Sequence, residues 1–161
     1  GNIELINQRL QAGELIADIK VSSSKLKGIE IPENLVPLAI DEFPVLFIAA
    51  SCADGETVLT GAKELRVKES DRIQVMADGL TSLGIENHVL EDGIRILGGE
   101  FTKQASSIKS HHDHRISMAF AIASVRSKFD IEIEGVDNVK TSFPNFEVLA
   151  NSIGMSIKQV G

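Results

Sequence analysis

With 161 residues, 43% of them hydrophobic and 24% charged, the chain has the make-up of one folded domain with a real core, which excludes a disordered segment. A net charge of −7 excludes a general nucleic-acid or membrane-surface binder, so any basic site must be local. One cysteine, Cys52, excludes an internal disulfide framework and points to the cytoplasm, and no apolar run is long enough to cross a bilayer. The sequence opens at Gly1 on strand-like residues with no signal-peptide pattern, and reads as a piece cut from a longer protein.

Residues 3–6 and 15–21 predict two short strands joined by a turn at Gln11-Ala12-Gly13-Glu14. In the second, Leu15, Ala17, Ile19 and Val21 alternate with Ile16, Asp18 and Lys20, so one face is expected to be buried. Residues 22–34 form a loop broken by Gly28 and Pro32. Its Ser22-Ser23-Ser24-Lys25 run, near Lys27, is compatible with phosphate binding but is more often simply polar. Next come the acidic pair Asp41-Glu42, then Phe43-Pro44 and the apolar run 45–50. Pro44 suits a first helical turn and the alanines favour helix, predicting a helix buried all round with Asp41 just before it.

A strand over 56–60 closes at Gly61. The stretch Arg66-Val67-Lys68-Glu69-Ser70-Asp71-Arg72 follows, with five charges in seven residues. It leads into a helix over 70–83, whose Ile73, Met76, Ala77, Leu80 and Leu83 line one face. Ser70 or Asp71 can cap it, and Gly84 stops it as a C′ residue. A hairpin over 85–90 and 93–97 turns at Glu91-Asp92-Gly93, and 98–109 reads as an exposed loop. Ser110-His111-His112-Asp113-His114-Arg115 opens an apolar helix over 116–126 that should also be buried, with a strand over 130–134 ending at Gly135. A last helix starts near Ser142 with Pro144 in its first turn. Its stripe is Phe146, Leu149, Ala150 and Ile153; Gly154 ends it and 155–160 is the final strand.

The halves approximately 37–97 and 112–160 share an order of elements, with equivalent glycines 74 (Gly61, Gly135) and 70 (Gly84, Gly154) residues apart. Such a repeat predicts copies of one α/β unit around shared buried helices, an α/β or α+β fold.

Charge gathers at three helix starts: Asp41, the Lys68/Glu69/Arg72 group, and Asp113/His114/Arg115. The simplest account of the middle group is a solvated turn with internal ion pairs, Glu69 serving only Arg72 at i+3. Against that, two arginines at separate helix N-termini make a clamp for a small multiply charged anion. Two differently placed carboxylates beside them can act as base and acid. A zinc site at His111, His112, Asp113 and His114 is disfavoured, since four adjacent ligands cannot close around one ion. Cys52, in an apolar helix, is a poor nucleophile, and Phe43, Phe47 and Phe120 read as core.

Four motifs occur in order: Asp41-Glu42-Phe43-Pro44, Glu64-Leu65-Arg66-Val67-Lys68-Glu69-Ser70-Asp71-Arg72, Asp113-His114-Arg115-Ile116-Ser117-Met118 and Thr141-Ser142-Phe143-Pro144. Together they resemble the C-terminal part of the 3-phosphoshikimate 1-carboxyvinyltransferase (EPSP synthase) family, over about Ala17 to Met155. The run from Ser22 to Gly28 is similar to the bacterial branch that includes glyphosate-tolerant members. The resemblance implies repeated βαβαββ units, as in the enolpyruvyl transferase inverse α/β barrel. This chain would hold about two of the family's six units, within the C-terminal domain of a monomeric two-domain parent.

It implies enolpyruvyl transfer from phosphoenolpyruvate (PEP) to the 5-hydroxyl of shikimate 3-phosphate, releasing phosphate, with no cofactor and no metal. Asp41 would accept the hydroxyl proton, and Glu69 would move a proton at the PEP methylene. Lys68 would face the shikimate 3-phosphate site, Arg72 and Arg115 would hold PEP, and His114 would support them. Lys140 stands one position before the lysine that some members carry, and no role is carried over to it. The rival readings are the sister transferase acting on UDP-N-acetylglucosamine and a non-catalytic anion-binding module. The fragment alone, lacking the other half of the cleft, is expected to be inactive.

Overall fold

The computed structural model describes residues 1–105 and 107–160. Three helices close on a small sheet: α1 (Phe43–Ser51), α2 (Arg72–Ser82) and α3 (His114–Ala123), packed against β3 (Glu56–Leu59), β4 (Asn87–Val89) and β5 (Ile94–Leu97). The sheet is antiparallel in the order β3-β5-β4. Alternation in β5 turns Ile94 and Ile96 inward, and the α2 stripe supplies Ile73, Met76 and Leu80; all are buried with Phe43, Phe47, Leu59, Leu65 and Phe120. Pro44 lies in the first turn of α1, where its missing N–H leaves no ladder bond unmade. Gly84, at φ +90°, ends α2 in the left-handed region that side chains disfavour.

Gly79 sets how closely α2 approaches α3, because a Cβ there would run into the Phe120 ring. Gly79→Ala gains about 1 kcal/mol of helix propensity but overpacks a ring with no room to retreat. The net expectation is a loss of roughly 1–2 kcal/mol, read as a lower urea midpoint with an unchanged m-value.

Several elements differ from the sequence expectation. β1 (Asn2–Gln11) and β2 (Glu14–Ser22) form the predicted hairpin, longer than expected and with a register shift between Ile6 and Arg9. The face of Leu15, Ala17, Ile19 and Val21 is not buried: Ile19 is 67% and Val21 70% exposed, because no other element among the described residues covers it. Helix α1 is buried on one side only, with Val45 and Leu46 facing outward, and Cys52 sits beyond its end, half-buried.

The expected loop over 98–109, whose Ser106 lies outside the described residues, buries Phe101 and Ile108. It contributes a strand, β6 (Ile108–Lys109), parallel to β7 (Ile133–Glu134), which is shorter than the predicted 130–134. The final predicted helix is two: α4 (Val139–Ser142) and α5 (Phe146–Ser152), divided around Pro144. Of its stripe only Ala150 is buried, while Leu149 and Ile153 are exposed. Residues 155–160 are not a strand, since no strand among the described residues pairs with them.

Candidate active site

The site is assembled where α1, α2 and α3 begin. Asp71 caps α2 by accepting from the Gln74 N–H at 3.0 Å, which makes Arg72 the first helical residue. Upstream, Arg66 donates from Nε to the Glu91 carbonyl at 2.6 Å, from Nη2 to the Leu90 carbonyl, and from Nη1 to Asp71 at 2.7 Å. These bonds tie the 3-10 turn Lys63–Val67 to the β4–β5 turn and hold the charged stretch in one shape.

The Arg72 side chain runs inward and is 1% exposed. Each of its nitrogens meets a different carboxylate. Nε donates to Asp113 Oδ2 at 2.8 Å, Nη1 to Asp41 Oδ1 at 2.9 Å and Nη2 to Glu69 Oε2 at 2.6 Å. A buried guanidinium needs such partners, since an unpaired buried charge costs several kcal/mol. Asp113 is completely buried and does two jobs. Its Oδ1 caps α3 by accepting from the Arg115 N–H at 3.0 Å, while Oδ2 takes the Arg72 bond and one from Ser70 Oγ at 3.1 Å. Asp113 therefore joins the two basic helix starts physically.

Lys68 lies 3.4 Å from Asp41 Oδ1 and pairs with Glu64 one helical turn earlier. Arg115 donates from Nη1 to the Asp41 carbonyl at 2.8 Å and to Glu42 Oε1 at 2.9 Å. Three cations thus stand among five carboxylates: Asp41, Glu42, Glu64, Glu69 and Asp113. The cluster neutralises its own positive charge.

At Asp41, partial burial pushes the carboxyl up, but the Arg72 bond and the Lys68 and Arg115 charges outweigh it and hold the group below its usual range. The Glu64 bond, with help from Asp41, raises Lys68. Burial works against the Arg72 charge, yet Asp113, Glu69 and Asp41 raise its pKa further. A depressed carboxyl stabilises the fold above its unfolded pKa of ~3.9, and that contribution disappears as pH falls through the lower folded value. Thermal stability should therefore drop below about pH 4, and the drop should be shallower in Asp41→Asn; an identical acid limb in both proteins would contradict the pairing.

Asp41, Lys68, Glu69 and Arg72 form one bonded group, and Arg115 joins it through the Asp41 carbonyl. His114 is half-buried in the first turn of α3, without a hydrogen-bond partner among the described residues. His111 and His112 hold left-handed φ of 53° and 61° on an exposed turn, and His112 lies 3.9 Å from Asp137. Among the described residues no three His, Cys, Asp or Glu side chains converge as metal ligands. Lys140 donates to Gln159 and makes no bond to the network. The sequence places Asp113 at a charged helix start, Glu42 in an acidic pair and Glu64 in the second motif, but assigns none of the three a task. The N-cap position of Asp113 and the i, i+4 spacing of Glu64 and Lys68 were the available signals.

The mixed helices and sheet are the α/β fold of the enolpyruvyl transferase class. The chain belongs to the EPSP synthase (3-phosphoshikimate 1-carboxyvinyltransferase) family, whose model matches residues 3–149. It is 70% identical over 159 residues to the 3-phosphoshikimate 1-carboxyvinyltransferase of Vesicomyosocius okutanii, covering 99% of this chain and 37% of the relative. The enzyme of that name from Hydrogenovibrio crunogenus is 56% identical, with 99% and 36% covered. A solved EPSP synthase from Acinetobacter baumannii superposes with a TM-score of 0.91 at 55% identity, covering 97% of this chain and 37% of that one. The chain spans little more than a third of the length of these relatives.

Proposed function

We propose that this chain forms one wall of an active site that transfers the enolpyruvyl group of PEP to the 5-hydroxyl of shikimate 3-phosphate, releasing phosphate. The observation that carries the reading is the Arg72 hub, which places Asp41 and Glu69 on adjacent nitrogens of one guanidinium with Lys68 and Arg115 beside them. Membership of the family supports it. Asp41, kept ionised by its cationic neighbours, accepts the proton of the attacking hydroxyl. Glu69, 49% exposed and anchored through one oxygen, moves a proton at the PEP methylene. Lys68 faces shikimate 3-phosphate, Arg115 meets the PEP anion directly, and Arg72, buried behind its carboxylates, adds its charge to the PEP site, with His114 in support. Catalysis then comes from positioning two anions and stabilising developing charge. The residues approximately 37–97 and 112–160 are two copies of the family's repeat unit, within the C-terminal domain of a parent whose N-terminal domain completes the cleft. The parent works as a monomer in the cytoplasm.

The test is phosphate release from PEP by this chain assembled with the complementary part of a family enzyme, with shikimate 3-phosphate and UDP-N-acetylglucosamine as alternative acceptors. Release should occur with shikimate 3-phosphate alone, fall at least ~100-fold in Asp41→Ala, and be undetectable from the isolated chain. Turnover with the sugar nucleotide instead, or full activity in Asp41→Ala, would refute the reading.

A further inference from the structure

Of the three cations in the site, Arg115 alone has nitrogens with no acceptor among the described residues. Arg72 has each nitrogen on a carboxylate and is buried, and Lys68 is flanked by Asp41 and Glu64. Arg115 spends Nη1 on the Asp41 carbonyl and on Glu42 Oε1, whereas Nε and Nη2 have no protein acceptor among the described residues. Its side chain is 31% exposed, and no buried side-chain nitrogen among the described residues lacks a partner, so this unpartnered edge reaches solvent. A guanidinium binds a carboxylate or phosphate best through two parallel N–H groups, and Nε with Nη2 form such a pair.

The orientation of that edge is set from the opposite side. Two acceptors from consecutive residues, the Asp41 backbone and the Glu42 side chain, converge on the same nitrogen. The 3-10 turn Ile40–Glu42 and the first turn of α1 hold these acceptors together, 73 and 74 residues away in sequence from Arg115. A backbone carbonyl alone allows the planar group to pivot about one bond; a second acceptor on the same nitrogen restricts the pivot.

We propose that Glu42 is a positioning residue, which fixes the guanidinium plane of Arg115 so that its Nε/Nη2 edge is presented to the PEP anion. This rests on the reading of the site given above. Glu42 does not touch substrate; it acts through Arg115. Being itself exposed on a helix entrance, it can be replaced without opening a cavity.

The experiment compares Glu42→Ala and Glu42→Gln with the unsubstituted protein in the assembled enzyme, measuring KM for each substrate. A second measurement follows rotation of the Arg115 guanidinium about Nε–Cζ by nitrogen-15 NMR, with only this chain labelled. Glu42→Ala should raise the KM for PEP about three- to five-fold, the scale of an exposed ion pair. The KM for shikimate 3-phosphate should stay within about two-fold, and Arg115 should rotate faster. Glu42→Gln, which retains an acceptor oxygen, should restore much of both effects. An unchanged or lower KM for PEP, equal changes for the two substrates, or unaltered Arg115 rotation would overturn the role of Glu42. Absence of turnover in the unsubstituted assembly would overturn the proposed reaction instead, and the rotation measurement would still decide whether Glu42 holds Arg115.

Discussion

Arg72→Ala should cost the fold roughly 3–5 kcal/mol, the penalty for breaking a buried ion pair by removing one partner. Three carboxylates lose a common counter-charge at once, and Asp113, fully buried, has no water to replace it. For a chain of this size the melting temperature should fall on the order of 10 °C. Phosphate release by the assembled enzyme should be lost with it. Arg72→Lys should rescue little, because one ammonium cannot supply three donors in the plane and spacing that Asp113, Asp41 and Glu69 require. A variant that melts within a degree or two of the unsubstituted protein would show that the network contributes little to stability.

Asp113→Ala is the complementary experiment, and a loss of about 3–5 kcal/mol is expected from two sources. Removing the cap of α3 accounts for about 1 kcal/mol, and the rest comes from stranding Arg72 in the interior. Asp113→Asn separates the sources. Its side-chain oxygen still accepts the Arg115 amide and keeps the helix start, while the charge opposite Arg72 is gone. The asparagine variant should therefore fall between the alanine variant and the unsubstituted protein. The double variant Arg72→Met with Asp113→Asn should lose less than the sum of its parts, because each single change already breaks the shared bond. Chemical denaturation of the five proteins, unsubstituted, Asp113→Ala, Asp113→Asn, Arg72→Met and the double variant, checks both points, and strict additivity would count against direct coupling.

Much of this architecture was legible in the residues. The stripe from Ile73 to Leu83 specifies α2 because a 3.6-residue period matches no other regular element, and Asp71 and Gly84 mark its ends by what their side chains can and cannot do. The hairpin around Glu91-Asp92-Gly93 and the buried Phe43, Phe47 and Phe120 follow from equally local rules. The failures have two causes. Burial of one β2 face is expected from pattern alone, and Leu149 and Ile153 belong to an apolar stripe, but a pattern shows that a face is apolar without showing that anything covers it. The strand at Ile108–Lys109 escaped notice because two residues carry no measurable period, and it exists only through its pairing with Ile133–Glu134.

At the site, the sequence determined which groups are available and that each stands at the start of a helix: Asp41, Lys68, Glu69, Arg72 and Arg115. Capping and helix periodicity act over a few neighbouring residues, so sequence order is enough to read them. Tertiary structure alone decided how those groups divide the work. Arg72 and Arg115 look equivalent in the chain, yet Arg72 is buried under three carboxylates while Arg115 keeps an open edge. That difference depends on Asp113 and Arg72 meeting across 41 residues, and on Arg115 reaching the Asp41 carbonyl across 74. Coulomb and hydrogen-bond energies depend on ångström separations in space, which packing of the three helices sets and sequence spacing does not.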